Sequence, residues 1–346
     1  MIKDVLIPAA ASDNSFFEEI INNSQSTRYH FGSLESDISK FNAVLIHWPE
    51  QLFEWQEPTN TQLEQLASVL GNWSSRVPIV HVVHNLAPHI GTSIKFRNLY
   101  ELVYTNATTI IHLGTYSKNL MEVKYPAAEH VVIEHPLYSS TMRVRDKFEA
   151  RKLLEIDEEQ FVVIVPGTVR SIEERKIILN SFNAINCKNK LLIAPRMLFK
   201  RLKPFSGYYK IKKLFPIDRV YDYFANKRYV GSYRFNSRFI DSDSLSQLMS
   251  ASDVVLVPRF NNLNSGIIYL GLTFCKLIVG PDNGNNSELL ERHDMLSYNV
   301  EKPIEVAQKL NQAYKQHRDF SLTDGEIDYL RPENIALKWD RLFSKV

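Results

Sequence analysis

Short runs of β-branched and other apolar residues recur along the first half of the chain, and each is followed by a stretch with helical spacing. The runs are continuously apolar rather than alternating, which is typical of strands covered on both faces. Strands that alternate with helices predict a parallel α/β sheet. The predicted strands are residues 5–10, 42–47, 78–84, 108–113 and 130–135, and the predicted helices are residues 12–23, 59–73, 93–106 and 115–124.

The same alternation resumes after a charged stretch over residues 136–160. This pause predicts a boundary between two α/β domains, which we place at 1–150 and 151–330. An amphipathic pattern over 331–346 predicts a closing C-terminal helix. The predicted strands of the second domain are 161–167, 190–195, 253–258 and 276–281, and its predicted helices are 173–185, 244–251, 265–274 and 303–316.

Composition places the chain among soluble globular proteins, because 44% of its 346 residues are apolar and 23% are charged. A net charge of +2 favours neither a nucleic-acid binder nor a binder of acidic ligands. Cys187 and Cys275 lie far apart, which excludes a disulfide framework and indicates a reducing compartment. No apolar run reaches the roughly 20 residues of a membrane span, and the N-terminus does not resemble a secretory signal. We therefore expect a cytoplasmic protein.

One segment, residues 196–238, departs from this balance and is called the basic-aromatic segment below. It contains twelve Lys or Arg and two Asp, a local charge of +10 that leaves −8 for the rest of the chain. Six tyrosines and five phenylalanines lie among the bases. Bases and interfacial aromatic rings indicate docking on an anionic membrane surface, although the same bases could instead line a ligand site. A nucleic-acid binder that stacks bases on these tyrosines is a competing interpretation.

The common nucleotide and hydrolase motifs are absent from the sequence. It contains no GxGxxG after the first strand, no GxxxxGK[ST], no GxSxG and no HExxH. Asp241 and Asp243 could share a metal ion, but a helical stretch follows at once, so we expect Asp243 to cap that helix. We expect neither a metal nor a cofactor.

Histidines stand at or near the ends of four predicted strands of the first domain. Ligands in open α/β sheets lie in the crevice beyond the carboxyl ends of the strands, so this placement predicts a shared polar cleft. The most promising stretch is residues 82–89, where His84 and His89 flank a turn. His81, on the same strand, is expected to be structural. The four histidines are His47, His84, His112 and His135.

A second cluster of polar residues follows the strand at 253–258. Asn264 precedes Ser265 and Gly266, which open a helix whose free N–H groups and dipole favour a phosphate. An Asn- and Gly-rich loop over 280–286 is followed by Glu288, a carboxylate suited to a sugar or ribose hydroxyl. Together these features predict a site for a phosphorylated, hydroxyl-bearing ligand.

Several of these stretches resemble segments of GT-B glycosyltransferases, especially the retaining family 4 enzymes of bacterial polysaccharide synthesis. The block 253–288 resembles their donor-nucleotide region. PGTVRSIEERKIILNSF (166–182) resembles the stretch that opens their second domain. HWPE (47–50), VHNLAPH (83–89) and EHPLY (134–138) resemble first-domain segments of related polysaccharide-building transferases.

The resemblance implies a GT-B fold, with two Rossmann-like domains whose parallel sheets face a central cleft, an acceptor domain first and a donor domain second. It implies transfer of a sugar from a UDP- or GDP-linked donor to a glycan or lipid-linked glycan, with retention and without a metal. Under this hypothesis His84, His89 and Glu288 are catalytic. The implied donor-binding residues are Gly167, Arg170, Arg196, Lys200, Asn264, Ser265, Gly266 and Glu288.

The chain departs from the family pattern at three places. Gly271 falls at the ribose-binding glutamate, Glu173 falls where a basic residue is common, and PAAASDN (8–14) replaces the first glycine-rich loop. A nucleotide-sugar epimerase with the same two-domain architecture is the enzymatic alternative.

Overall fold

The computed structural model describes residues 2–11, 14–86, 88, 93–169, 171–197, 232–235 and 240–345. Two compact units are present. Unit 1 comprises Met1–Thr141, Asn262–Asn264 and Ile327–Val346, and unit 2 comprises Met142–Asn261 and Ser265–Glu326. Within the described residues, no helix combines the length and the apolar character needed to cross a bilayer.

The described part of unit 1 is built on a six-stranded parallel sheet in the order β2-β1-β3-β4-β5-β6. Five strands coincide with predicted apolar runs, which confirms the α/β pattern. The exception is β2, with the sequence TRYHF, which is half polar because it lies at the sheet edge. The strands are β1 Lys3–Ile7, β2 Thr27–Phe31, β3 Ala43–Ile46, β4 Ile79–Val83, β5 Thr109–His112 and β6 Glu129–Val132.

Three helices of unit 1 begin at side chains that cap them. Asn14 caps the first helix, Ser93 the third, and Thr59 forms a capping box with Gln62 at the second. Their apolar faces then cover both sides of the sheet. The helices are α1 Ser15–Asn23, α2 Asn60–Ser74, α3 Ile94–Asn106 and α4 Thr115–Lys124, with a 3-10 turn at Pro49–Phe53.

The described part of unit 2 contains a second six-stranded parallel sheet, in the order β12-β11-β10-β7-β8-β9. The three-residue strands β9 and β12 were not among the predicted runs. The strands are β7 Phe161–Ile164, β8 Lys190–Ala194, β9 Tyr233–Phe235, β10 Val254–Leu256, β11 Leu277–Pro281 and β12 Leu296–Tyr298. The helices are α5 Lys147–Leu153, α6 Ile172–Asn183, α7 Ser242–Ala251, α8 Gly266–Thr273, α9 Gly284–Arg292, α10 Ile304–Gln316 and α11 Asp324–Ile327.

A buried ion pair links α5 to the sheet of unit 2. Asp253 accepts hydrogen bonds from Arg151 Nη2 at 2.8 Å and from Val162 N at 2.7 Å, and Lys147 Nζ lies 2.5 Å from its other oxygen. Both Arg151 and Asp253 are buried. The charged stretch that predicted a domain boundary thus contains a helix held by its charges.

The cap of α7 differs from the sequence prediction. Asp241, not Asp243, accepts the hydrogen bond from Ser244 N at 2.8 Å, because the helix begins at Ser242. Asp243 lies in the first turn and forms an ion pair with Arg145 instead.

The C-terminal helix α12, Pro332–Lys345, packs within unit 1. Its Trp339 and Phe343 are fully buried in the core that also contains Phe16 and Phe17 of α1. Asp340 accepts hydrogen bonds from the backbone N–H groups that lead into β2, at 2.8 and 3.1 Å. The helix therefore stabilises the sheet edge as well as the core.

Candidate functional site

The sheet of unit 2 has a topological switch point between β7 and β10. The chain runs from β7 to β8 and β9 on one side, and then returns to add β10 on the other side. Loops from two adjacent strands diverge at such a point, and the crevice between them is where open α/β sheets bind ligands. Residues 165–169, which follow β7, and residues 257–260, which follow β10, form this edge.

Helix α8 begins beside this crevice. Ser265 is its N-cap residue and is buried, but its side chain makes no capping hydrogen bond. Within the described residues, Ser265 therefore does not cap the first N–H groups of the helix, and together with the helix dipole these groups favour an anion. The prediction that Ser265 and Gly266 open a helix is confirmed.

Gly167 lies directly against the first turn of α8. A Cβ atom at this position would overlap the Cδ1 methyl of Ile267, and it would lie 3.8 Å from Arg259 Nη2. The absence of a side chain thus allows the backbone after β7 to approach the start of the helix. The role of Gly167 in donor binding stays a prediction.

Two arginines follow the strands on either side of β7. Arg259 comes after β10, and its Nη2 donates a hydrogen bond to Thr168 O at 3.1 Å. Arg196 comes after β8, and its carbonyl accepts from Val169 N at 3.1 Å. Guanidinium groups suit phosphate because they can form two parallel charge-assisted hydrogen bonds.

Arg196 is among the residues predicted from the sequence, and Arg259 is not. The available signal was its position immediately after the proline that ends a buried strand. The predicted residues Arg170 and Lys200 lie outside the described residues.

The Asn- and Gly-rich segment after β11 is more helical than predicted. Helix α9 begins at Gly284, whose φ of 56° suits glycine, so Asn285 and Asn286 lie in its first turn and are buried. Asn283 Nδ2 donates to Phe260 O at 3.2 Å and ties this turn to the loop after β10. Glu288 is half-buried in the second turn of α9.

The structure gives a physical reason for the departure at Gly271. This residue lies on the face of α8 that packs against the sheet, where a Cβ would lie 2.8 Å from Ile278 Cδ1 and 3.6 Å from Val255 Cγ2. A glutamate could not fit there or reach a ligand. Glu173 lies in the exposed first turn of α6, where hydrogen bonds from its own backbone N–H and from Ser171 lower the pKa of its carboxyl.

Three of the four strand-end histidines of unit 1 come together around Phe16. The Phe16 ring centroid lies 5.3 Å from that of His47, 5.1 Å from His84 and 4.8 Å from His135. His84 also stacks on Trp48 at 4.8 Å and meets His47 edge-on at 4.0 Å. We call these three histidines the histidine cluster.

His112 does not join the histidine cluster. Its Nε2 lies 2.9 Å from His130 Nδ1, and its Nδ1 lies 3.1 Å from Ser117 Oγ. The prediction of one cleft lined by all four histidines is therefore wrong for His112, since β5 directs this ring towards β6 and α4.

Burial keeps the histidine cluster uncharged. It holds the pKa of His84 well below the ordinary value, and nearby His135 and His81 lower it further. The pKa of His47 is lowered in the same way, and desolvation lowers that of His135 to about 4. The Nε2 atom of His84 is buried without a hydrogen-bond partner among the described residues. As a neutral ring it can exchange a hydrogen bond with a hydroxyl, but it cannot supply positive charge to a phosphate.

Asn264 belongs to unit 1 and contacts the histidine strand. Its Nδ2 donates to the carbonyl oxygen of His84 at 2.9 Å, and the neighbouring Leu263 packs in a cluster with Val83. The structure thus brings together two residues that the sequence placed in different clusters. The predicted residue His89 lies outside the described residues.

Most of the basic-aromatic segment also lies outside the described residues. Of its twelve bases, Arg196 and Arg234 are described. Arg234 donates hydrogen bonds to the carbonyls of Leu154 and Glu155 at the end of α5, which gives this base a structural role.

Comparison with known proteins finds similarity in structure alone. No family model and no curated protein sequence matches the chain. A sucrose-phosphate synthase from Thermosynechococcus elongatus superposes with a TM-score of 0.71 at 11% identity, covering 100% of this chain and 99% of that one.

Two further solved structures are similar over nearly the same length. Anabaena HepE in complex with UDP and glucose gives a TM-score of 0.67 at 13% identity, with 100% of both chains covered. An E. coli structure described as trehalose-6-phosphate bound with UDP-2-fluoro glucose gives 0.59 at 9% identity, with 99% of both covered. At these identities the likeness establishes the architecture, and the chain has the GT-B fold.

Proposed function

We propose that this chain is a glycosyltransferase that moves a hexose from a UDP-linked donor to a hydroxyl of a glycan or lipid-linked glycan. The observation that carries the proposal is the switch point of unit 2, where Gly167, the start of α8, Arg196 and Arg259 lie at one sheet edge. Support for UDP comes from HepE and the E. coli structure, whose descriptions include UDP, glucose or a UDP-sugar.

In the proposed reaction, the bond between the sugar C1 and the β-phosphate oxygen breaks, the acceptor oxygen forms the new bond to C1, and the proton of the acceptor hydroxyl passes to the departing diphosphate. Negative charge grows on the departing diphosphate. Arg259, Arg196 and the N–H groups of α8 would stabilise it, because preorganised donors aimed at developing charge lower the barrier most. Glu288 would accept hydrogen bonds from donor hydroxyls. The neutral imidazole of His84 would contact a sugar hydroxyl.

Release of UDP from UDP-glucose tests the proposal, first without an acceptor and then with an extract of lipid-linked glycans. Arg259→Ala should lower kcat/KM by roughly 10- to 100-fold, since a charge-assisted hydrogen bond contributes about 1.5–3 kcal/mol. Arg318→Ala is the matched control, because Arg318 is an exposed arginine of unit 2 that pairs with Glu159. Equal activity of the two variants would remove Arg259 from the phosphate role. An epimerised UDP-sugar formed without acceptor would instead support the epimerase.

A further inference from the structure

A cavity of about 830 Å³ lies within unit 1. Its walls come from the residues that follow β1, β2 and β3, together with one face of α2. The chain adds β2 on one side of β1 and then β3 on the other, so this cavity lies at the switch point of the first sheet. Small-molecule sites typically have volumes of about 300–1,000 Å³.

The charged side chains described around the cavity are acidic. Among the described residues that line it, Glu35 and Glu54 are charged, and none is Lys, Arg or His. Both carboxylates belong to exposed residues. A ligand bearing a phosphate would meet like charge here without a compensating cation.

The other polar groups of the cavity suit hydroxyl groups. The side-chain amides of Gln51 and Gln65 make no hydrogen bond within the described part of the chain, and each can donate and accept. The carboxylates only accept, which fits a ligand that donates many O–H hydrogen bonds. Trp55 adds a broad aromatic face with one N–H donor.

These groups are held in place by the local backbone. Glu54 and Trp55 have φ of 50° and 65°, and the N–H of Trp55 donates to Glu50 O at 2.9 Å. Left-handed conformations are costly for such residues and concentrate at ligand-binding sites. Gly32 also lines the cavity, and a Cβ there would lie 2.6 Å from Ser36 Oγ and 2.8 Å from Leu6 Cδ1, so the turn that carries Glu35 is closely packed.

We propose that this cavity binds an uncharged, polyhydroxylated ligand, in chemical terms an unphosphorylated saccharide, and that Glu35 and Glu54 exclude phosphorylated sugars. Identification of this ligand as the acceptor rests on the proposed function. Binding of a saccharide to unit 1 does not, because none of the donor-site residues lines the cavity.

Saturation-transfer NMR on the full chain, with methyl glucoside, cellobiose and glucose 6-phosphate as probes, tests this inference. We expect magnetic saturation to pass from the protein to a neutral sugar, which shows that the sugar binds. Glucose 6-phosphate should bind at least about tenfold more weakly. The substitution Trp55→Leu should abolish this saturation transfer. The double variant Glu35→Lys and Glu54→Lys should favour the phosphorylated sugar, whereas Glu57→Lys, an exposed carboxylate outside the cavity, should not change the preference.

Two results would overturn the inference. One is that glucose 6-phosphate binds the unmodified chain at least as well as the neutral sugars do. The other is that no neutral sugar shows saturation transfer. UDP added to the same samples separates this inference from the proposed function. If UDP binds but the phosphorylated sugar binds better than the neutral sugars, the inference about the cavity is contradicted and the proposed function is not. If a neutral sugar binds through Trp55 but UDP does not bind, the proposed glycosyltransferase function is contradicted and the inference about the cavity is not.

Discussion

Buried neutral histidines should make unit 1 sensitive to mild acid. His81 lies buried in β4, where its Nδ1 donates to Ile46 O at 2.8 Å and its Nε2 has no hydrogen-bond partner among the described residues. Burial lowers its pKa to about 4, as it does for His135. In the unfolded chain these rings titrate near pH 6.5. As the pH falls through 6.5, the unfolded state binds protons first. Stability present above this pH is therefore lost, and the loss levels off below about pH 4.

The size of the effect follows from the two pKa values. A pKa shift from 6.5 to about 4 removes about 2 kcal/mol of unfolding free energy per histidine between pH 7 and pH 5. His81 and His135 together account for about 4 kcal/mol, and the lowered pKa values of His47 and His84 act in the same direction. Domains are stable by about 5–15 kcal/mol, so the loss should be easily measured.

Urea unfolding at pH 7 and pH 5 measures this difference. All four tryptophans of the chain lie in unit 1, so tryptophan fluorescence reports the unfolding of that unit. The substitution His81→Gln should reduce the pH-dependent loss of unfolding free energy by about 2 kcal/mol, whatever its effect at pH 7. Equal unfolding free energies at the two pH values would refute the reasoning. So would a His81 ring that titrates near pH 6.5 in NMR spectra of the folded protein.

Packing and charge give three further predictions, each measured by urea unfolding. Gly271→Ala should destabilise unit 2 by about 1–3 kcal/mol, because the new Cβ would lie 2.8 Å from Ile278 Cδ1. Gly71→Ala in α2 is the opposite case, because no described atom lies within 4 Å of the new Cβ. It should stabilise unit 1 by about 0.5–1 kcal/mol. Asp253→Asn should cost unit 2 about 3–5 kcal/mol, because it leaves the buried Arg151 guanidinium without its carboxylate. Circular dichroism follows the unfolding of both units and tryptophan fluorescence follows that of unit 1. An unchanged midpoint in any variant would contradict the contact invoked for it.

Strand and helix positions could largely be predicted because buried parallel strands are continuously apolar. The missed strands show the limit of that signal. An edge strand such as Thr27–Phe31 has a neighbour on one side only and can be half polar. The three residues of Leu296–Tyr298 are too few to form a pattern.

The site could be predicted where chemistry follows local sequence. Ser265 and Gly266 carry a helix-start pattern, and Gly167 follows a buried strand. These local patterns made all three residues candidates. The position of Arg259 after a strand-ending proline is a local signal, but its place beside Gly167 depends on the pairing of β10 with β7, which is not encoded locally. The same holds for Asn264 and His84, which are 180 residues apart but joined by a hydrogen bond.

Calorimetric titration with UDP tests the central claim most directly, namely that the switch point of unit 2 holds the nucleotide. UDP should bind the full chain, and Arg259→Ala should weaken binding by roughly tenfold or more, because it removes a charge-assisted contact. Arg318→Ala should bind UDP like the unmodified chain. No heat of binding with UDP at millimolar concentration, or equal affinities for the two variants, would contradict the account.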